Sequence, residues 1–318
     1  MKRATITLAG ALLLISGMAR ADLRGGWTVT RDKSERGRIH IQLNRDHNNH
    51  GQTMDLADFA GLTAAQVAAT TTTPVSFSLR REAGTVSLEG SFRNGSGGGE
   101  FVFAPNPAYL ATLRDLGVPV ERSKPHGRSD SQEEQLLALA VLDVSTDFIR
   151  SMQAVGYRES LDDYIAMRIF QVDPALVTEF RALGMELAAD DLVAGRIHGV
   201  SPAYVRQMRD LGHAGADFDD LIATRIHGAT PEFIDEMREL GYGDLKLDDY
   251  VAFRIHGVTP HFVEELAELG YRDLGADDLV AFRIHGVTPG FIRDLAADGY
   301  RDISADDLVS MKIHGRRR

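Results

Sequence analysis

A tripeptide centred on His198, His227, His256, His285 and His314 returns every 29 residues along this chain. Pro202, Pro231, Pro260 and Pro289 keep the same interval. A repeat of that length constrains the fold more than any other feature. Each unit is too small to bury its own apolar face and must stack on its neighbours. The clearest unit runs from Thr259-Pro260-His261-Phe262 through Leu269-Gly270-Tyr271 and Asp277-Asp278-Leu279 to Arg283-Ile284-His285-Gly286. Thr146 to Phe170 is a weaker match that keeps Phe148, Gly156-Tyr157, Asp162-Asp163 and Arg168-Ile169, with Phe170 in the histidine position. Asn106-Pro107-Ala108-Tyr109 to Gly117 opens another unit. A polar stretch from Pro119 to Gln132 interrupts it before Glu133 to Leu142 resumes helical character. The array amounts to about seven units over residues 105–315.

Each unit reads as two short helices with explicit start and stop residues. Thr259 is a good N-cap and Pro260 suits the first helical position, where its missing N–H costs nothing. Val258 and Val263 are placed as a hydrophobic staple, and Gly270 supplies the left-handed residue that closes the helix. In the second helix of the last unit, Ser304 and Asp307 form an acidic capping box, and Gly315 follows His314. Aspartates such as Asp278 sit at the positive end of the helix dipole, and Arg283 and His285 sit at the negative end before Gly286. Phe233, Ile234, Met237 and Leu240 recur at helical spacing, as do Tyr250, Val251 and Ile255, and both sets are expected on buried faces. Helices of about ten residues are marginal alone, so stacking into an α-solenoid is the expected outcome.

Residues 22–104 carry a different period. Trp27 and Val29, Ile39 to Leu43, Val75 to Leu79, Val86 to Phe92, and Phe101 and Phe103 alternate with mainly polar residues, the mark of strands with one buried face. Asn94 to Gly99 reads as a glycine-rich hairpin turn. Thr63 to Ala69 reads as one helix, with Thr63 and Gln66 as a capping box and Leu62 and Val67 as its staple. The fold class is α+β: a small antiparallel β domain of about five strands, followed by the α-solenoid of two-helix repeats. The terminal residues 316–318 form a basic tail.

Residues 1–21 read as a secretory signal peptide. Lys2 and Arg3 precede an uncharged apolar run from Ala4 to Ile15, and Ala19-Arg20-Ala21 offers the small residues of a cleavage site before Asp22. Removing Lys2, Arg3 and Arg20 from 35 basic residues leaves 32 against 46 acidic ones, a net of −14. Such a charge repels phosphate backbones and anionic lipid, so nucleic acid is not the expected partner and no membrane insertion is expected after cleavage. With no cysteine, an exported chain must rely on packing alone, which suits the periplasm, with secretion as the alternative address.

Several constellations could carry chemistry. The five histidines should form a row with roughly 10 Å between neighbours, too wide for one metal ion, and better suited to capping the last carbonyls of each helix. Aspartate pairs repeated in every unit suit caps and ion pairs between repeats, whereas a catalytic carboxylate pair occurs once, at a unique site. His40, His47 and His50, with Asp46 beside them, form a run that could hold zinc or copper or serve as a solvated turn. No G-x-S-x-G, P-loop or H-E-x-x-H motif occurs and no cysteine nucleophile is available, so no enzymatic activity and no cofactor are expected.

The unit T-P-x-F-[IV]-x-x-[LM]-x-x-L-G-Y … D-D-L-V-A-x-R-I-H-G, between Thr230 and Gly315, resembles helical repeats of exported bacterial proteins, and of modules appended outside the protease domain of some antirepressor-type membrane metallopeptidases. The resemblance spans roughly residues 106–315 and implies a periplasmic recognition or sensing module. Because the H-E-x-x-H of those peptidases is absent here, it implies no catalysis. The expected function is non-enzymatic binding of a peptide, protein or envelope polymer along the repeats. Ala203, Glu232, His261 and Gly290, which follow the prolines and differ between units, are the expected specificity residues. Metal binding at the His40–His50 run and self-association along the repeats are the alternatives.

Overall fold

The structure is a computed structural model that describes residues 22–31, 37–45, 48–120 and 131–315. Residues 1–21, read from the sequence as a signal peptide, residues 316–318 and His47 lie outside the described residues. The chain divides into two compact units, Met1–Thr146 and Asp147–Arg318. Among the described residues no helix is long and apolar enough to cross a membrane.

The first unit is an antiparallel, curled sheet of seven strands: β1 (Leu23–Arg31), β2 (Arg38–Arg45), β3 (Asn48–Asp55), β4 (Phe59–Ala60), β5 (Thr73–Arg81), β6 (Gly84–Arg93) and β7 (Ser96–Pro105). Their order is β3-β2-β1-β7-β6-β5-β4. The five alternating runs become β1, β2, β5, β6 and β7, and their apolar residues line the buried face. The sequence pattern misses β3 and β4. Edge strand β3 buries only Met54 among its apolar residues, so it never shows the alternation that marks a strand. The glycine-rich turn is also shorter than the sequence suggests. Only Asn94 and Gly95 turn the chain, both at positive φ (52° and 83°), as a tight two-residue hairpin requires.

Gly97, Gly98 and Gly99 belong to β7, where they are kept for close approach rather than for turning. Gly99 pairs with both Trp27 and Gly90 across the sheet. A Cβ on Gly99 would lie 1.9 Å from the Glu89 carbonyl oxygen, and one on Gly90 would lie 2.8 Å from the Trp27 ring. The indole lies over these glycines and donates from Nε1 to the Glu89 carbonyl at 3.1 Å. Trp27 also meets Phe77 edge to face, at 5.3 Å between centroids. β1 and β5 are three strand spacings apart, about 14 Å in a flat sheet, so the contact shows how far the sheet curls.

Helix α1 (Ala64–Val67) packs on β6 with its Thr63–Gln66 capping box formed in both directions and Val67 buried. Helices α2 (Ala108–Asp115) and α3 (Gln132–Val141), which the sequence assigns to an interrupted first repeat, fall within the sheet's compact unit. The boundary therefore lies at Thr146 rather than near residue 104. The reason is apolar burial. Leu136, Leu137, Leu139, Ala140 and Val141 of α3 are buried, and the helix packs on β3, β6 and β7. Arg45–Glu134 and Arg81–Asp143 ion pairs, and the bond from the Tyr109 hydroxyl to the Val144 carbonyl, tie the segment down.

The second unit holds six helix pairs in tandem. The first helices are α4 (Thr146–Ala154), α6 (Pro174–Ala182), α8 (Pro202–Asp210), α10 (Pro231–Glu239), α12 (Pro260–Glu268) and α14 (Pro289–Ala297). Their partners are α5 (Leu161–Ile169), α7 (Ala189–His198), α9 (Phe218–His227), α11 (Leu247–His256), α13 (Ala276–His285) and α15 (Ala305–His314). The second helices pack in succession from α5 to α15, and first helices pack in the same way along α6–α8 and α10–α12–α14. This two-layer stacking is that of an α-solenoid.

Candidate functional site

Most of the repeated letters are consumed by holding the array together. Thr259 accepts from the Phe262 N–H at 3.2 Å, and Thr230 and Thr288 repeat the cap. In three of the pairs the second aspartate accepts from the backbone N–H three residues before it: Asp191 from Ala188, Asp249 from Lys246 and Asp278 from Gly275, at 3.0–3.1 Å. Those three caps lack a side-chain acceptor of their own, so only this half of the capping box exists there. Gly270 adopts φ +96° and Gly286 +73°, as the helix-closing role requires.

Two further letters stitch each unit to its neighbour. In three units the tyrosine after the helix-closing glycine reaches one unit forward: Tyr157 donates to the Leu187 carbonyl at 2.6 Å, Tyr242 to Leu274 at 3.0 Å and Tyr271 to Ile303 at 2.9 Å. The arginine before Ile-His reaches back. Arg225 donates to the His198 carbonyl at 3.2 Å and Arg283 to the His256 carbonyl at 3.4 Å. The same side chains lie over an aromatic ring of their own unit, with Arg225 at 5.0 Å from Tyr204, Arg254 at 4.9 Å from Phe233 and Arg283 at 4.8 Å from Phe262. The sequence predicts histidine on these terminal carbonyls. The structure instead brings in the next unit's guanidinium, and His198, His227, His256, His285 and His314 stand exposed.

One letter is neither a cap nor a stitch. Ile169, Ile197, Ile226, Ile255, Ile284 and Ile313 occupy the same position in every pair, and each is 48–55% exposed. The sequence places Ile255 on a buried face with Tyr250 and Val251. Tyr250 is fully buried, but Ile255 is not. At 100° per residue the two point about 140° apart, which the spacing alone could have revealed. Ile255 instead lies on the outer side of α11 with exposed Asp248 and half-buried Ala252, while Val251 is buried as the sequence expects. Asp190, Val193, Ala194 and Ile197 of α7 lie on the corresponding side. Together with Asp163 and Ala166 of α5 they line an open, mainly apolar groove between the two helices. The result is a row of exposed isoleucines across successive second helices, with half-buried alanines such as Ala194 and Ala252 beside it and an aspartate in the first turn of each helix.

The residues expected to vary for specificity are also accessible, in the other layer. Ala203, Glu232, His261 and Gly290 are exposed second residues of α8, α10, α12 and α14. Glu232 lines an open groove of mixed polarity with Gln207, Asp210, Leu211 and Asp235 between α8 and α10, and accepted hydrogen bonds from its own N–H and the Thr230 hydroxyl hold its carboxyl below the usual range. His261 faces Glu264 and Glu265 at 3.9 and 3.8 Å.

The structure does not bring His40 and His50 together. His40 pairs across the sheet with Thr53 and His50 with Leu43, so the two rings lie on opposite faces. His40 Nδ1 is 3.1 Å from the Thr53 hydroxyl. Asn48 to Gly51, which reads as part of a turn, is the start of β3. Among the described residues no cluster of three or more His, Asp or Glu could hold a metal ion. No protein-family model matches the chain, and no curated protein matches it.

Proposed function

We propose that this is an exported, periplasmic interaction or sensing protein without catalytic activity, which binds a protein or peptide along the outer face of its second helices. The observation that carries the reading is the isoleucine kept at one exposed position through six helix pairs. A buried residue is kept by packing, but one half exposed in every unit gains little from the fold, and a row of exposed isoleucines repeated through the array marks a contact surface. Stacked repeats make such a surface long enough for an extended partner. Ala203, Glu232, His261 and Gly290, on the other layer, would tune a second contact. The N-terminal Lys2-Arg3, apolar run and Ala19-Arg20-Ala21 support export.

A photo-cross-linking residue placed at Ile255 tests the reading in living cells. Adducts are expected there, and not from the exposed Glu236 of α10. Equal yields at the two positions contradict it.

A further inference from the structure

Among the described residues, the seam between α8–α9 and α10–α11 lacks three ties that other seams have. His213 stands where Tyr157, Tyr242 and Tyr271 send a hydroxyl one unit forward. Arg254 keeps the Phe233 ring but donates to no carbonyl of α9, whereas Arg225 and Arg283 each donate to the histidine carbonyl of the preceding unit. Its Nη2 lies 3.6 Å from where a Cβ on Gly228 would stand, against 2.7 Å for Arg225 at Gly199 and 2.9 Å for Arg283 at Gly257. Arg209 donates one unit back to the Leu183 carbonyl at 2.6 Å, but its counterpart Arg238 turns to Asp235 of its own helix. The first-helix layer is loose at the same place. Helix α6 packs on α8 and α10 on α12, while α8 and α10 pack less closely, and an open groove of about 320 Å³ lies between them. Asp210 on one wall and Glu232 and Asp235 on the other repel across it. The second helices α9 and α11, in contrast, pack closely.

We propose that this seam is the hinge of the array: it pivots on the α9–α11 packing, opens on the α8–α10 side, and is latched by the neutral imidazole of His213. The ring stands edge-on to Tyr250 of α11 at 5.8 Å, with Nε2 buried and without a hydrogen-bond partner. Arg238 of α10, Asp244 of the following loop and Asp249 of α11 lie near the Tyr250 hydroxyl, and Asp217 and Asp220 stand at the start of α9. None of them compensates the ring, and burial alone holds its pKa below the ordinary value. An open seam returns Nε2 to water, where it takes a proton at about 6.5. Closure is therefore favoured above that value and opening below it, by at most about tenfold per pH unit for one linked proton. The device is independent of what the isoleucine row binds.

Because the chain has no cysteine, pairs of introduced thiols can carry spin labels. Gln207→Cys/Glu236→Cys spans the seam at exposed, equivalent positions of α8 and α10, and Glu239→Cys/Glu268→Cys spans the next seam as a control. Pulsed electron paramagnetic resonance then compares distances at pH 7.5 and pH 5.5, a window above the carboxylate range of about 4. At pH 5.5 the first pair should show a longer-distance population several times that at pH 7.5, with the control pair and the circular dichroism spectrum unchanged. His213→Met, which copies Met185 of the preceding unit, should remove the pH response. His213→Tyr should hold the seam closed at both pH values. A seam pair that does not respond to pH, an equal change in both pairs, or a response that survives either substitution overturns the inference.

Discussion

Where Tyr157, Tyr242 and Tyr271 each reach one unit forward to a backbone carbonyl, the unit built from α8 and α9 carries His213. Its ring stands edge-on to Tyr250 of the next unit at 5.8 Å, and its Nε2 is buried without a hydrogen-bond partner. Burial holds the His213 pKa below its ordinary value, because a charged imidazole there would lose water and gain nothing. The unfolded chain therefore binds the proton more readily than the folded one. The contribution of His213 is complete above the unfolded pKa of about 6.5 and is lost as pH falls below it. His213→Tyr should remove that part of the acid sensitivity and restore the stitch to the Leu245 carbonyl, raising stability by about 0.5–1.5 kcal/mol. Urea unfolding of both proteins at pH 7.5 and pH 5.5 checks this. A parallel loss of stability in the two would rule out His213 as the acid-sensitive group.

Within an element pair, the units are alike in lettering but not in volume. Gly195 of α7 stands where α11 and α13 have Phe253 and Phe282, and a Cβ on it would lie 2.7 Å from the Phe218 ring. Phe218 in turn stands where α13 begins with Ala276, and packs edge-on against Phe180 at 5.6 Å. The bulk has moved from one helix to its neighbour. Making Gly195 conform to the other units, as Gly195→Phe, should destabilise the array by at least about 2 kcal/mol. Adding Phe218→Ala should recover much of that loss. Additive losses in the double-mutant cycle would show that the two positions do not share the space. Compensation of this kind is invisible in a sequence read for its repeat, because it appears only as two departures from the pattern. The helix ends, by contrast, were legible residue by residue: Thr63 with Gln66, Thr259 with Pro260, and Gly286 at positive φ all stand as read. So were five of the seven strands. The two that were missed, β3 and β4, are the edges of the sheet, one with a single buried apolar residue and one two residues long, and neither can carry a period.

Across the whole molecule, the repeat serves two ends that its lettering does not separate. Thr-Pro, Gly-Tyr, the second Asp and Arg-x-x-Gly join helices and units. The isoleucine between arginine and histidine is repeated just as faithfully but faces outward. Sequence reading located the array and its punctuation. It filed that isoleucine with the core because an apolar residue at helical spacing is buried in most helices, and only its angle to Tyr250 says otherwise. Reading His40 and His50 as neighbours failed for a related reason. Residues close in the chain fall on opposite faces once they belong to paired strands. The central claim is that the isoleucine row is kept for a partner and not for packing. It is tested most directly by the free energy of urea unfolding of Ile226→Glu/Ile255→Glu, measured at low protein concentration, where association does not add to stability. The account predicts a value within about 1 kcal/mol of the wild-type chain, as for exposed positions. A loss of more than about 4 kcal/mol, the scale of charges forced into a packed interior, would put these isoleucines in the core and contradict it.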